Sequence, residues 1–224
     1  MAPLKQIILG TSGASGMIYT LRLIKGLISA NVSIHWIMSS MGKQVFAHES
    51  QNSQLFGNPY TGEKLHDYLF KLNLINNTNK HLLQEISADD LFAKPASGSF
   101  IHDGMIVLPA SMKTTAAIAC GFSENLLLRC ADVCLKEKRP LILVPRETPF
   151  STIHLKNMLT LADQGVTILP ACPGFYMMPA SIVDLADFLA ARIMDHLNIT
   201  HHIMSRWHGK EPYDQNHETN LSLD

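Results

Sequence analysis

The sequence predicts a doubly wound, Rossmann-like α/β fold: a parallel sheet with helices on both faces. Two observations predict it. Short apolar, β-prone runs recur at residues 7–9, 33–38, 105–109, 141–145 and 166–170, and helical patterns lie between most of them. Apolar strands alternating with helices argue for a sheet covered on both sides. In such a sheet, ligands sit at the carboxyl ends of the strands.

The elements follow in order. The first run, Ile7-Ile8-Leu9, leads into Gly10-Thr11-Ser12-Gly13-Ala14-Ser15-Gly16. A strand, a Gly-rich turn and a helix present backbone N–H groups and a helix N-terminus to a phosphate. Ser12 and Ser15 add hydroxyl donors. The Gly spacing is neither the dinucleotide fingerprint nor a P-loop, so a mononucleotide with a terminal phosphate fits better than NAD or ATP. The plain alternative is a turn that only joins strand to helix. Residues 17–30 carry apolar side chains at 17, 21, 24 and 28, one face of a helix. Residues 50–99 break the alternation and read as an excursion beside the site, with a helix over 65–74. Residues 125–138 read as a helix with cations at its end and Pro140 beyond. The helix over 151–164 stops at Gly165, and the one over 181–197 opens on Ser181 and Asp184, a capping box with the shorter acid. Residues 1–208 are expected to form one domain, and 209–224 a polar tail.

Composition narrows the function. The chain has 224 residues, 46% hydrophobic and 17% charged, with a formal net charge of −1. That balance gives no reason to expect nucleic acid as a partner, and the low charge suits a surface partly covered by other subunits. No apolar run has transmembrane length and Met1 leads directly into the first strand, so neither a membrane span nor a leader is expected. The four cysteines, Cys120, Cys130, Cys134 and Cys172, read as buried reduced thiols of a cytoplasmic protein. Cys130 and Cys134 lack a second ligand pair, and no HExxH spacing occurs among the histidines, so no metal site is expected.

Several strand ends carry polar groups. Ser111-Met112-Lys113-Thr114 suits a phosphate or flavin at a helix start, or an ordinary N-cap at Ser111. Arg146 and Glu147 could bind an anion and manage a proton, or form a solvated pair. The loop from Pro170 to Tyr176 presents aromatics, as part of a site or as an apolar lid. Arg192 lies in an otherwise apolar helical stretch and must find a partner, in a site or in a neighbouring subunit.

Taken together, these residues resemble the UbiX/Pad-type flavin prenyltransferases, proteins long labelled 3-polyprenyl-4-hydroxybenzoate decarboxylases. The resemblance runs from Lys5 to about Trp207. It rests on Thr11-Ser12-Gly13-Ala14-Ser15-Gly16, Pro95-Ala96-Ser97-Gly98-Ser99, Ser111-Met112-Lys113-Thr114, Leu128-Arg129-Cys130-Ala131-Asp132-Val133, Leu135-Lys136-Glu137-Lys138-Arg139-Pro140-Leu141, Pro145-Arg146-Glu147-Thr148-Pro149 and Gly174-Phe175-Tyr176. It departs at Lys138, where Arg is usual, and at Met177, where His is frequent.

The resemblance implies transfer of a dimethylallyl group from dimethylallyl phosphate to N5 and C6 of reduced FMN. Phosphate is released, no metal is needed, and the prenylated FMN passes to a UbiD-type decarboxylase. It implies FMN at Gly13, Ala14, Ser15, Ser39, Ser111, Met112, Lys113, Thr114 and Arg129. It implies dimethylallyl phosphate near Lys136, Arg146, Tyr176 and Arg192, with Trp207 beside the prenyl group. Ser15, Glu49, Lys136 and Glu147 are the implied catalytic residues, in a homo-oligomer as large as a dodecamer. Two other readings remain. One is an FMN-dependent decarboxylase of the phosphopantothenoylcysteine type, but Lys113 replaces its Asn and its Pro-x-Met-Asn segment is missing. The other is a flavin-binding protein without turnover, which the retained Glu49, Lys136, Arg146 and Glu147 speak against.

Overall fold

The computed structural model describes residues 4–206. Six parallel strands form one sheet: β1 (Gln6–Thr11), β2 (Ser33–Met38), β3 (Leu83–Ser87), β4 (Gly104–Ala110), β5 (Leu141–Pro145) and β6 (Thr167–Ile168), in the order β3-β2-β1-β4-β5-β6. The order reverses between β1 and β4. Such a switch point opens a crevice at the carboxyl ends of those strands.

Alternation of side chains along the strands divides the core into two layers. Ile7, Leu9, Trp36 and Leu108 pack on one face beneath α1 (Met17–Ser29) and α8 (Ile182–His196). Ile8, Ile37, Val107 and Leu143 pack on the other beneath α5 (Met112–Ala119) and α6 (Leu126–Lys136). Both faces bury apolar side chains, which is why the strands lack a polar side. Trp36 is fully buried, and its indole N–H donates to Thr11 Oγ1 at 2.9 Å, so its one polar group is satisfied.

The expected helix ends are present. Ser181 Oγ accepts from the Asp184 N–H and Asp184 Oδ2 from the Ser181 N–H, closing the capping box of α8. Gly165 has φ 85° just past α7 (Thr152–Asp163), a left-handed position that suits glycine.

Three expectations need correction. Residues 50–99 are not only an excursion. They contain α3 (Ser53–Phe56), α4 (Leu65–Lys71) and the edge strand β3, whose sequence LQEIS buries only Leu83 and Ile86. The run at 166–170 pairs only over Thr167–Ile168. The cysteines are not uniformly buried: Cys130 and Cys134 are, whereas Cys120 and Cys172 are exposed.

Candidate functional site

The switch point gathers three helix N-termini. α1 starts after β1, α2 (Ser40–Glu49) after β2, and α5 after β4. Their caps differ, and the difference decides where an anion can sit.

The N-terminus of α1 is filled by the protein itself. Glu49, the last residue of α2, accepts from the Gly16 N–H at 2.9 Å and the Met17 N–H at 2.8 Å. Its carboxylate compensates the positive end of the helix. The Gly16 φ of 114° aims these N–H groups, and Tyr19 packs so closely that a Cβ on residue 16 would touch its ring. The first Gly-rich turn is thus not a free phosphate cradle at its helix start. Nor is Ser12 a free donor. Its hydroxyl donates to Pro109 O at 2.8 Å and accepts from the Ser111 N–H at 2.8 Å, stapling β1 to β4.

The other two N-termini face a cleft of about 260 Å³ lined by Gly13, Ser39, Met41, Asp89, Ser111, Lys113 and Thr114, among others. Ser39 caps α2 by accepting from the Gly42 N–H at 3.0 Å. Ser111 caps α5, accepting from the Thr114 N–H at 3.2 Å and donating to Thr114 Oγ1 at 3.0 Å. Lys113 Nζ lies 3.4 Å from Glu124 but is largely exposed, free to swing. Two helix N-termini, three hydroxyls and an ammonium form a donor set suited to a phosphate monoester. Met112 is buried beneath this turn and supports it. Ala14 is buried, with its N–H given to Ser12 O at 2.9 Å. Gly13 lies against Met41, which a Cβ there would displace. This cleft therefore offers its donors to an anion of that kind.

A second group adjoins it across the β1 turn. Arg146, just past β5, donates from Nε to the Ser15 carbonyl at 3.1 Å, leaving its terminal nitrogens for an anion. The Ser15 side chain is exposed beside it, and half-buried Glu147 follows, accepting from the Thr148 N–H at 3.2 Å. Tyr19 lies within electrostatic reach of Arg146 and Glu49, although the sequence does not single it out. Burial first, then Cys172 and Glu49 against an opposing Arg146, push its phenol above the usual range. The available signal was an aromatic hydroxyl in the first turn after a Gly-rich loop. Tyr176 is exposed on the 170–178 loop, its ring edge against Phe188 of α8 at 5.7 Å. Arg192 lies one helical turn beyond Phe188, but its Nη1 is given to Asp195 Oδ2 at 3.2 Å.

Two expected ligands lie elsewhere in the chain. Arg129 donates to Ala96 O at 3.1 Å and pairs with Asp132 at 2.6 Å, and it does not line the cleft. Lys136 ends α6 shortly before β5 begins, at the amino ends of the strands, whereas Arg146 follows the carboxyl end of β5. It pairs with Glu137 beside Gly98, near where Arg139 binds the Phe100 carbonyl. The five residues of β5 separate those two ends by roughly 16 Å, so Lys136 and Arg146 lie at opposite ends of the strands. Trp207 lies outside the described residues. Two roomier hollows, about 340 Å³ by Arg22 and His201 and about 560 Å³ by Tyr60 and Glu63, share no lining residue with the cleft.

The flavoprotein family model matches residues 1–207. A flavin prenyltransferase UbiX of Methanothermobacter thermautotrophicus is 42% identical over 94% of this chain and 100% of that relative. The UbiX of Pseudomonas aeruginosa is 40% identical over 91% and 94% of the two chains. Among solved structures, AnUbiX (PadA1), in complex with FMN and dimethylallyl pyrophosphate, aligns with a TM-score of 0.78 at 36% identity, covering 93% of this chain and all of that one. A dodecameric FMN-dependent UbiX-like decarboxylase from Escherichia coli O157:H7 aligns at 0.77 with 38% identity, covering 91% and 100%. The cysteine decarboxylase TvaF shares only 16% identity at a TM-score of 0.52, a likeness of fold alone. With a flavoprotein family match over residues 1–207 and a flavin prenyltransferase relative 42% identical over 94% of its length, the chain belongs to the flavin prenyltransferases of the flavoprotein family.

Proposed function

We infer that the protein is a flavin prenyltransferase. It transfers the dimethylallyl group of dimethylallyl phosphate to N5 and C6 of reduced FMN and releases phosphate. The observation that carries this reading is adjacency. The cleft suited to a flavin phosphate, at Gly13, Ser39, Ser111, Lys113 and Thr114, borders the cation-and-acid group of Ser15, Glu49, Arg146 and Glu147.

Reduced FMN, when bound, supplies the nitrogen and carbon nucleophiles of the reaction. The chain's own residues do the rest. Arg146, held at Nε by the Ser15 carbonyl, offers its terminal nitrogens to the departing phosphate, with Ser15 and Tyr176 adding hydroxyl donors. As the allylic C–O bond breaks, negative charge grows on the phosphate oxygens, so each donor binds more strongly than in the ground state. Glu147 spends one acceptor site on the Thr148 N–H and keeps capacity to hold and pass a proton. Glu49 fixes the loop that carries Ser15 by binding the Gly16 and Met17 N–H groups. Trp207, by its resemblance, would face the allylic cation.

Lys136 needs a second copy of the chain, because it lies at the amino ends of the strands and Arg146 at the carboxyl ends. α7 exposes Ile153, Leu155 and Leu159, and the 170–178 loop exposes Phe175 and Met178, apolar surface that an assembly would cover. We therefore expect a homo-oligomer, as large as a dodecamer, in which a neighbour supplies Lys136 and Arg129. We expect a cytoplasmic location, and a UbiD-type decarboxylase as the recipient of the prenylated FMN. Among the described residues, no helix is long and apolar enough to cross a membrane.

The test is Arg146→Ala. Losing a charged hydrogen bond to a desolvated phosphate costs about 1.5–3 kcal/mol, so kcat/KM for dimethylallyl phosphate should fall by roughly one to two powers of ten with FMN affinity kept. Unchanged kcat/KM, or loss of FMN instead, would overturn the assignment of this group to the prenyl donor.

A further inference from the structure

Asp195 is the one carboxylate among the described residues with three basic side chains on it. Its Oδ2 accepts from Arg192 at 3.2 Å. Its Oδ1 faces His201 Nε2 at 3.1 Å and Arg206 Nη1 at 2.6 Å. The imidazole of His201 is 2% exposed and Asp195 18%, whereas Arg192 is 47% exposed. The cluster therefore has a packed side and an open side, and Arg192 stands on the open one.

An isolated i,i+3 pair on a helix surface would hold Arg192 only weakly. Here the carboxylate is itself oriented by a buried ring and a second guanidinium. Burial works to raise the Asp195 pKa, but the hydrogen bonds from Arg206 and His201 outweigh it and keep the group ionised. Two guanidiniums against one carboxylate leave net positive charge at the cluster. The longest of the three contacts is the one to Arg192, so an arriving phosphate can share that guanidinium without leaving Asp195 unpaired.

We propose that Asp195 is a positioning residue for the prenyl donor: it holds the Arg192 guanidinium in place so that its remaining N–H groups meet the phosphate. This rests on the assignment of Arg192 to that phosphate. A freely rotating Arg loses several rotamers on binding, whereas one already held by Asp195 has less freedom to lose. Immobilising one such side chain corresponds to about two- to tenfold in affinity.

The test is a double-mutant cycle on the full chain loaded with reduced FMN, measuring KM and kcat for dimethylallyl phosphate. Asp195→Asn should raise KM by about two- to tenfold with kcat and FMN affinity little changed. In the Arg192→Ala background it should raise KM no further, because Asp195 acts through Arg192. If Asp195→Asn does not fold, Asp195→Glu carries the cycle. It keeps the charge but displaces the carboxylate, and should raise KM about twofold only when Arg192 is present. Unchanged KM in the Asp195 variant, or an equal rise with and without Arg192, overturns the proposal. Unchanged KM in Arg192→Ala alone removes Arg192 from the phosphate site and this inference with it. Continued formation of prenylated FMN in that case leaves the enzymatic reading standing.

Discussion

Glu49 makes the most informative perturbation, because the structure gives it a task the sequence did not suggest. Its carboxylate binds the first free N–H groups of α1, at 2.9 Å and 2.8 Å, in a half-buried position between two helices. Each charge-assisted bond contributes about 1.5–3 kcal/mol when its partner would otherwise be unsatisfied, and the helix dipole adds about 0.3–1 kcal/mol. Water can reach part of this site, so Glu49→Ala should cost about 2–3 kcal/mol overall. Glu49→Gln keeps one oxygen acceptor but loses the charge, and should cost about 1 kcal/mol. For a chain of this size each kcal/mol lowers Tm by about 2–4 °C. Calorimetry on the FMN-free protein should therefore rank wild type above Glu49→Gln and Glu49→Ala lowest, with a total drop of about 4–12 °C. A Glu49→Ala melt within about 1 °C of wild type would refute the capping role. It would also return the α1 N-terminus to the list of possible anion sites.

Other expectations follow from the same physical reasoning. Glu147→Gln should bind FMN and dimethylallyl phosphate yet fail to complete the prenylated product, as quenched reactions analysed by mass spectrometry would show; full product at the unmutated rate would remove Glu147 from proton transfer. His35 and His102 are buried, and burial is the main cause that lowers both below the ordinary 6.5. Since the unfolded chain then takes up protons first, stability should fall as pH drops below about 6.5, and urea unfolding of His102→Asn should show a shallower loss between pH 7.5 and 5.5. Burial pushes the thiols of Cys130 and Cys134 up to about 12, so both should resist thiol reagents until the protein unfolds. Rapid modification of either in the native state would contradict the packing beneath α6.

Much of the fold was legible because the central strands carry unbroken apolar runs. Residues 33–38 and 141–145 were read with the boundaries they have. β3 was not legible: LQEIS offers two apolar side chains, and as an edge strand it is defined by pairing with β2 rather than by its own pattern. α2 was hidden for a similar reason, since SMGKQVFAHE buries only Gly42 and Phe46 and holds a glycine in its first turn. That glycine has a tertiary cause, for a Cβ there would lie 2.9 Å from the Thr11 carbonyl.

The site divides in the same way. Ser39 and Ser111 could be found as hydroxyls before helical segments, because a cap is a local signal. Which helix N-terminus stays open could not, because Glu49 reaches α1 from 33 residues away. Lys136 and Arg146 look like partners in sequence, yet α6 carries Lys136 to the amino ends of the strands while Arg146 follows the carboxyl end of β5. That separation follows from the path of the chain from α6 into β5, which no local pattern of the sequence reveals.

The most direct measurement is anaerobic incubation of the purified protein with reduced FMN and dimethylallyl phosphate, followed by mass spectrometry of the released flavin and assay of free phosphate. The account predicts a flavin heavier by one dimethylallyl unit, formed in step with phosphate and roughly ten- to hundredfold more slowly in Arg146→Ala at limiting dimethylallyl phosphate. Unmodified FMN from protein that binds both substrates would contradict it.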